Sequence, residues 1–207
     1  MKTKTLILLS VIGIIFIFLG FIGYQYYMKQ NIQPGVKNLA KENIGIIYCS
    51  YNEGIQDIVN IISKKLKADI IELKPAVPYP TDKEEFYKRI QLENGDLSKV
   101  VLDNKLIDLK KYKLLIFGTP VIKEQPCPVI KKFLEDNADR INNKSVATIV
   151  KYNEKENTVP TQEYFYYKLY KAKQKPNFVT MAKDKTELNY TLELWFNEMQ
   201  FAREELR

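Results

Sequence analysis

The sequence predicts an α/β chain: a five-stranded parallel sheet with helices on both faces, preceded by one transmembrane helix. Three observations carry that expectation. Short β-branched runs alternate with stretches of helical periodicity from Ile44 onward, the pattern of parallel strands joined by crossover helices. The stretch from Ile44 to Ile62 holds a strand, a polar turn and a helix in immediate succession. And from Leu6 to Tyr24 no charged residue occurs at all.

That first apolar run is rich in Ile, Leu and Phe. Its length matches the roughly 20 residues that a helix needs to cross a hydrocarbon core of about 30 Å. Tyr24, Tyr26 and Tyr27 follow it, where an interfacial aromatic belt would sit. A cleaved signal has a shorter apolar region, about 7–15 residues, and a small-residue cleavage site. The segment therefore reads as an uncleaved single-pass anchor in the cell membrane, residues 1–29 with its flanks. Lys2, Lys4 and the amino terminus lie on one side of it and Lys29, Lys37 and Lys41 on the other. This near tie leaves the side of the membrane undetermined. Residues 30–43 are polar, contain Pro34-Gly35 and read as a linker; residues 44–207 form the folded domain.

Lys2, Lys4, Lys29 and Lys37 precede the first acidic residue, Glu42, and leave +3 of the net +7 for residues 41–207. The excess beside the anchor suits anionic lipid head groups. The other lysines alternate with Glu and Asp, and no nucleic-acid motif is present. The chain has no His, which removes His bases, triads and imidazole ligands together. Two cysteines, Cys49 and Cys127, are too few for a disulfide scaffold or a structural zinc site. No catalytic residue and no metal site are expected.

In the domain, Ile44, Ile46 and Ile47 mark a first strand buried on both faces. Ile55, Ile58, Val59 and Ile62 then recur on one helix face. Ser50-Tyr51-Asn52-Glu53-Gly54 is the turn between them, where free backbone N–H groups at a helix start can hold an anion. Ala68 to Leu73 is the second strand. Pro75, Pro78 and Pro80 interrupt the chain, and Thr81 with Glu84 reads as a capping box for a helix over 83–93. Asn94-Gly95-Asp96 ends it. Tyr112 to Phe117 is the third strand, and Gly118 to Cys127 a loop. A helix over 129–135, a strand over 145–150, a Tyr-rich helix over 158–173, a strand over 178–181 and a closing helix over 187–206 complete the order. On the Tyr-rich helix, Tyr164-Phe165-Tyr166-Tyr167 spreads round the circumference, so some rings must be exposed or covered. Leu188, Leu192, Trp195, Phe196 and Met199 read as core. In open parallel sheets the ligand lies beyond the carboxyl ends of the strands. The candidate loops are thus 50–55, 118–127 and 152–157.

These residues resemble the flavodoxin family over roughly 44–200. Tyr48-Cys49-Ser50 running into a helix is similar to that family's FMN phosphate loop. Ala68 to Leu73 followed by Pro78-Tyr79-Pro80 is similar to its second strand and Tyr-Pro turn. Gly118-Thr119-Pro120-Val121, Pro126 and Phe133-Leu134-Glu135 resemble its third strand, isoalloxazine loop and next helix. The resemblance implies FMN as cofactor and Ser50, Tyr51, Asn52, Gly54, Ile55, Thr119, Pro120, Ile122 and Tyr152 as its contacts. Departures are evident. Glu53 stands where the phosphate loop has Gly, and Ile55 where it has its last Thr; a carboxylate within about 5 Å of a phosphate costs on the order of a few kcal/mol. Ile122-Lys123-Glu124 replaces an aromatic, a small residue and Gly, with Tyr51 or Tyr152 as alternative stacking rings. Lys151-Tyr152-Asn153-Glu154 lacks the Gly pair common in relatives.

Given the resemblance, Cys49 and Cys127 fall at one end of neighbouring strands, near enough for a disulfide or to flank a redox site. The stronger reading is that each is a small buried residue, since both neighbourhoods are apolar. Two functions are therefore expected: FMN-dependent electron transfer to a membrane redox partner, or a cofactor-free binding or scaffold module of the same fold at the membrane.

Overall fold

The computed structural model of the chain describes residues 19–20, 43–51, 54–103, 107–141, 144–171 and 177–184, together with 187, 191 and 195. Of the expected anchor it covers only Leu19 and Gly20, and of the linker only Asn43. Among the described residues no helix is long and apolar enough to cross a membrane.

The elements run β1 (Ile44–Cys49), α1 (Ile55–Leu66), β2 (Asp69–Leu73), α2 (Lys83–Gly95), β3 (Leu114–Ile122), β4 (Gln125–Pro126), α3 (Pro128–Asp136), α4 (Ala138–Ile141), β5 (Ser145–Lys151), α5 (Val159–Lys171) and β6 (Asn177–Ala182). Glu187, Thr191 and Trp195 are helical, within the span expected for the closing helix. Five strands pair in parallel in the order β2–β1–β3–β5–β6. The order reverses at β1, so β1 and β3 flank the switch point at which such sheets place their ligands.

Alternation along the strands sends side chains to two cores. Ile44, Ile46, Tyr48, Leu114, Ile116, Ala147 and Ile149 pack with Trp195 and with Ile55, Ile58, Val59 and Ile62 of α1. On the other face Ile47, Cys49, Leu115, Phe117, Val146 and Val150 meet Val129, Ile130, Phe133 and Leu134 of α3 and Phe165 and Leu169 of α5. Each fully buried large aliphatic side chain stabilises by about 1.5–3 kcal/mol. The expected helices on both faces are present. Phe165 is buried while Tyr166 and Tyr167 point outward, which divides the aromatic run between core and surface.

Several local expectations are corrected. Asp82, not Thr81, caps α2, and its carboxylate accepts the Glu85 N–H at 2.9 Å; an ionised cap also complements the helix dipole. The second strand is present as β2, an edge strand with Asp69, Ile70 and Glu72 exposed. The largest correction concerns the segment read as a loop over 118–127. β3 continues to Ile122, and all nine of its residues are buried. Lys123 and Glu124 then turn back with φ of 51° and 66°, and β4 pairs antiparallel with β3. Two consecutive left-handed residues make the hairpin twist that flanking strands prefer, usually signalled by Asn or Gly. Here neither residue carries that signal.

Candidate functional site

The first loop leaves β1 at Cys49 and enters α1 through Gly54, whose φ of 74° is left-handed. That conformation suits Gly, because a Cβ there is strained. Gly54, the N-cap, has no side chain to cap α1, and the first N–H groups of a helix have no intrahelical partner. From the far side of β3 comes Lys151, the last residue of β5. A Cβ placed on Gly54 would meet Lys151 Cε at 3.9 Å. The Lys151 ammonium donates to Asn153 Oδ1 at 2.8 Å. A helix start and a cation thus adjoin at the switch point, the electrostatic setting for a phosphate.

The expected contacts divide into three groups. Ser50, Tyr51 and Gly54 lie at the first loop, partly or fully accessible; Asn52, with Glu53, lies outside the described residues. Ile55 is fully buried in the core under α1, so it offers the loop only its backbone. Thr119, Pro120 and Ile122 are held inside β3. The Thr119 hydroxyl donates to Pro120 O at 2.9 Å and accepts the Cys127 N–H at 3.0 Å, and Ile122 is only 3% exposed. Tyr152 sits half-buried after β5, its hydroxyl 3.4 Å from Glu187 Oε1. The described residues of the first loop are therefore chemically suited to a phosphate group. A ring stacked on the Ile122 side chain does not fit, because that side chain is covered.

Open volume lies on the other flank of the first loop. A cavity of about 470 Å3 is lined by Ser50, Tyr51, Tyr79, Phe86 and Tyr87 among others. Tyr51 packs edge-on against Tyr79 and Phe86, with centroids 4.6 and 5.6 Å apart. The wall behind is braced by a buried carboxylate: Glu93 accepts from Arg89 Nε at 2.7 Å and from the Tyr79 hydroxyl. Arg89 also holds the Pro78 and Val77 carbonyls at 2.9 and 3.0 Å and lies 4.4 Å over the Tyr79 ring. Burial, with neighbouring Tyr79 and Glu93, pushes the Tyr51 phenol well above its ordinary range; burial and the bond to Glu93 do the same for Tyr79. Lys123, at the hairpin tip, lies 4.9 Å from the centre of the Tyr87 ring. Sequence reasoning missed Phe86 and Tyr87 as neighbours of the first loop. The signal available was the Tyr79-Pro80 turn, which returns the chain toward it. A larger cavity of about 1060 Å3 lies along the β2 edge, against Ile71, Leu102 and Phe133.

Cys49 and Cys127 are joined by a disulfide, with Cα atoms 6.9 Å apart, and both are fully buried. Among the described residues no group of three or more His, Cys, Asp or Glu side chains is placed to hold a metal ion.

No family model and no curated protein matches the chain. Solved structures do. A Bacteroides eggerthii protein assigned as a flavoprotein superposes with a TM-score of 0.60 at 15% identity, over 74% of this chain and 97% of its own. A flavoprotein from Lactobacillus acidophilus, solved in complex with FMN, gives 0.55 at 20% identity, over 72% and 97%. A WrbA-like flavodoxin from Agrobacterium tumefaciens gives 0.51 at 13%, over 79% and 98%. At these identities the likeness establishes the fold: the domain is flavodoxin-like.

Proposed function

We propose that this chain is a membrane-anchored flavodoxin-like protein that holds FMN by its phosphate and passes electrons to a redox partner in the membrane. The observation that carries the reading is the junction of Gly54 at the N-cap, the start of α1 and the Lys151 side chain at the sheet's switch point. FMN, when bound, supplies the one- and two-electron chemistry. The chain's part is to bind and orient. Ser50 and the first N–H groups of α1 receive the phosphate, and Lys151 balances its charge. Tyr51 and Tyr152 are the aromatic side chains on the first and third loops. The run from Leu6 to Tyr24 tethers the domain to the cell membrane. The FMN complex of the Lactobacillus acidophilus protein, which shares the fold, is consistent with this reading.

A second reading rests on a specific observation: Ile55 and Ile122, which stand at cofactor positions of the family, are both packed away. It makes the domain a cofactor-free binding module at the membrane. The two separate on the full-length chain purified in detergent and mixed with FMN. Flavin absorbance that co-elutes with the protein and bleaches reversibly with dithionite supports the electron carrier. Protein that elutes colourless after incubation with excess FMN sinks it and leaves the module. Recovery of the chain in washed membranes, lost on deletion of residues 1–29, tests the anchor.

A further inference from the structure

The β3–β4 hairpin closes one place for a ring and braces another. Thr119, Pro120 and Ile122 are held inside β3, and the Ile122 side chain is covered. At the hairpin tip Lys123 reaches to Tyr87 of α2, with Nζ 4.9 Å from the ring centre. Tyr87 lines the cavity of about 470 Å3 that opens on the other flank of the first loop. That volume falls in the range of small-ligand sites.

The cavity has what a planar ring needs. Its lining is aromatic: Tyr51, Tyr79, Phe86 and Tyr87 all border it. Each is only partly buried, which leaves ring surface for a ligand to cover, and offset or edge-on contact between rings is favourable. The wall is fixed before anything binds. Glu93 accepts from the Tyr79 hydroxyl, and the Arg89 guanidinium donates to the Val77 and Pro78 carbonyls; a pre-organised wall loses little freedom on binding. The rim is polar, since Thr81 and Lys83 also line the cavity and offer donors to ring carbonyls. Ser50 and Tyr51 join it to the first loop. Gly54 lies at most about 14 Å of chain beyond Ser50, within the length of an FMN molecule.

We propose that this cavity between the first loop and α2 is the ring subsite. It takes the planar heteroaromatic ring of the flavin against Tyr51 and Tyr87, in place of the covered position at Ile122. Flavin as the ligand rests on the cofactor reading above; the choice of this cavity for its ring rests on the lining. Tyr152, the aromatic side chain of the third loop, borders neither this cavity nor the larger one along β2.

The test uses the full-length chain in detergent and two probes, FMN and lumiflavin, which is the ring without the ribityl phosphate. Fluorescence titrations compare the unmodified chain with Tyr87→Ala, Tyr87→Phe and Tyr152→Ala, each checked for folding by circular dichroism. Tyr87→Ala is expected to weaken both probes about tenfold, and Tyr87→Phe, which keeps an aromatic face, to stay within about twofold. Where Tyr87→Ala does not fold, protection of Tyr87 from nitration by saturating FMN reads the same contact in the unmodified chain. Unchanged affinity for both probes in Tyr87→Ala, a loss in Tyr152→Ala alone, or nitration of Tyr87 undiminished by FMN each overturns the subsite; FMN binding by the unmodified chain then leaves the cofactor reading standing. Lumiflavin bound through Tyr87 without any binding of FMN supports the subsite and overturns the phosphate reading. Binding of neither probe overturns both.

Discussion

Lys151, at the end of β5, rests its side chain against Gly54 at the head of α1: a Cβ on Gly54 would stand 3.9 Å from Lys151 Cε. The contact crosses the end of β3, which separates their strands. It brings a cation from the third loop to the first, where the helix start already favours negative charge. Lys151→Ala is therefore expected to weaken FMN binding about fivefold or more at low salt. It should also flatten the salt dependence of the affinity, since screening then has one fewer charge to act on. Fluorescence titrations at two salt concentrations check both outcomes.

Ile55 shows why a family motif does not transfer residue by residue. Restoring the hydroxyl of the phosphate loop with Ile55→Thr looks like a gain from sequence alone. In the fold the Ile55 side chain is fully buried among Tyr48, Ile58 and Val59. The substitution deletes a buried methyl and places a hydroxyl in an apolar core, which costs about 1–3 kcal/mol. The melting temperature should fall with no improvement in FMN affinity; a tighter complex at unchanged stability would contradict this placement.

A close approach at the centre of the sheet gives a third expectation. A Cβ on Gly118 would lie 2.9 Å from Tyr48 Cβ, 3.4 Å from Val59 Cγ2 and 3.6 Å from Ile149 Cγ2. β1 and β3 pair at this level, Tyr48 opposite Gly118, so neither backbone can move alone. Gly118→Ala should destabilise the domain by about 1–3 kcal/mol through overpacking. Urea denaturation measures it.

The strands and helices and their succession along the chain were legible because the signal is periodic: Ile44, Ile46 and Ile47 and then Ile55, Ile58, Val59 and Ile62 name their own elements and are buried as expected. The first loop was legible for the same reason, since it is what lies between them. The second loop was not. Lys123 and Glu124 adopt left-handed φ without the Gly or Asn that usually announces it, so β3 read five residues short and Thr119, Pro120 and Ile122 read as accessible. The aromatic wall was hidden for another reason. Tyr51, Tyr79 and Phe86 meet through tertiary packing across a proline-broken segment, and no local period records that.

That wall predicts an alkaline limit. Burial raises the phenols of Tyr51 and Tyr79 above their ordinary value of 10.0, so the folded state holds these protons more tightly than the unfolded chain. Their contribution is complete below about pH 10 and is lost as the pH rises beyond it, where the unfolded chain gains by ionising. Ionising Tyr79 also removes the hydrogen it gives Glu93. The melting temperature attributable to these groups should hold up to about pH 10 and drop above it, and Tyr51→Phe should shrink the drop. An identical alkaline slope in the variant would show that Tyr51 is ionising freely in the fold.

The central claim is that the first loop binds a phosphate, and riboflavin tests it most directly because it is FMN without one. The measurement is a pair of fluorescence titrations of the full-length chain in detergent, one with FMN and one with riboflavin. The account predicts saturable binding of one FMN per chain, with riboflavin at least about a hundredfold weaker, the loss of a doubly charged group held by several N–H donors and an ammonium. Equal affinity for the two flavins, or no saturation with FMN, would contradict it.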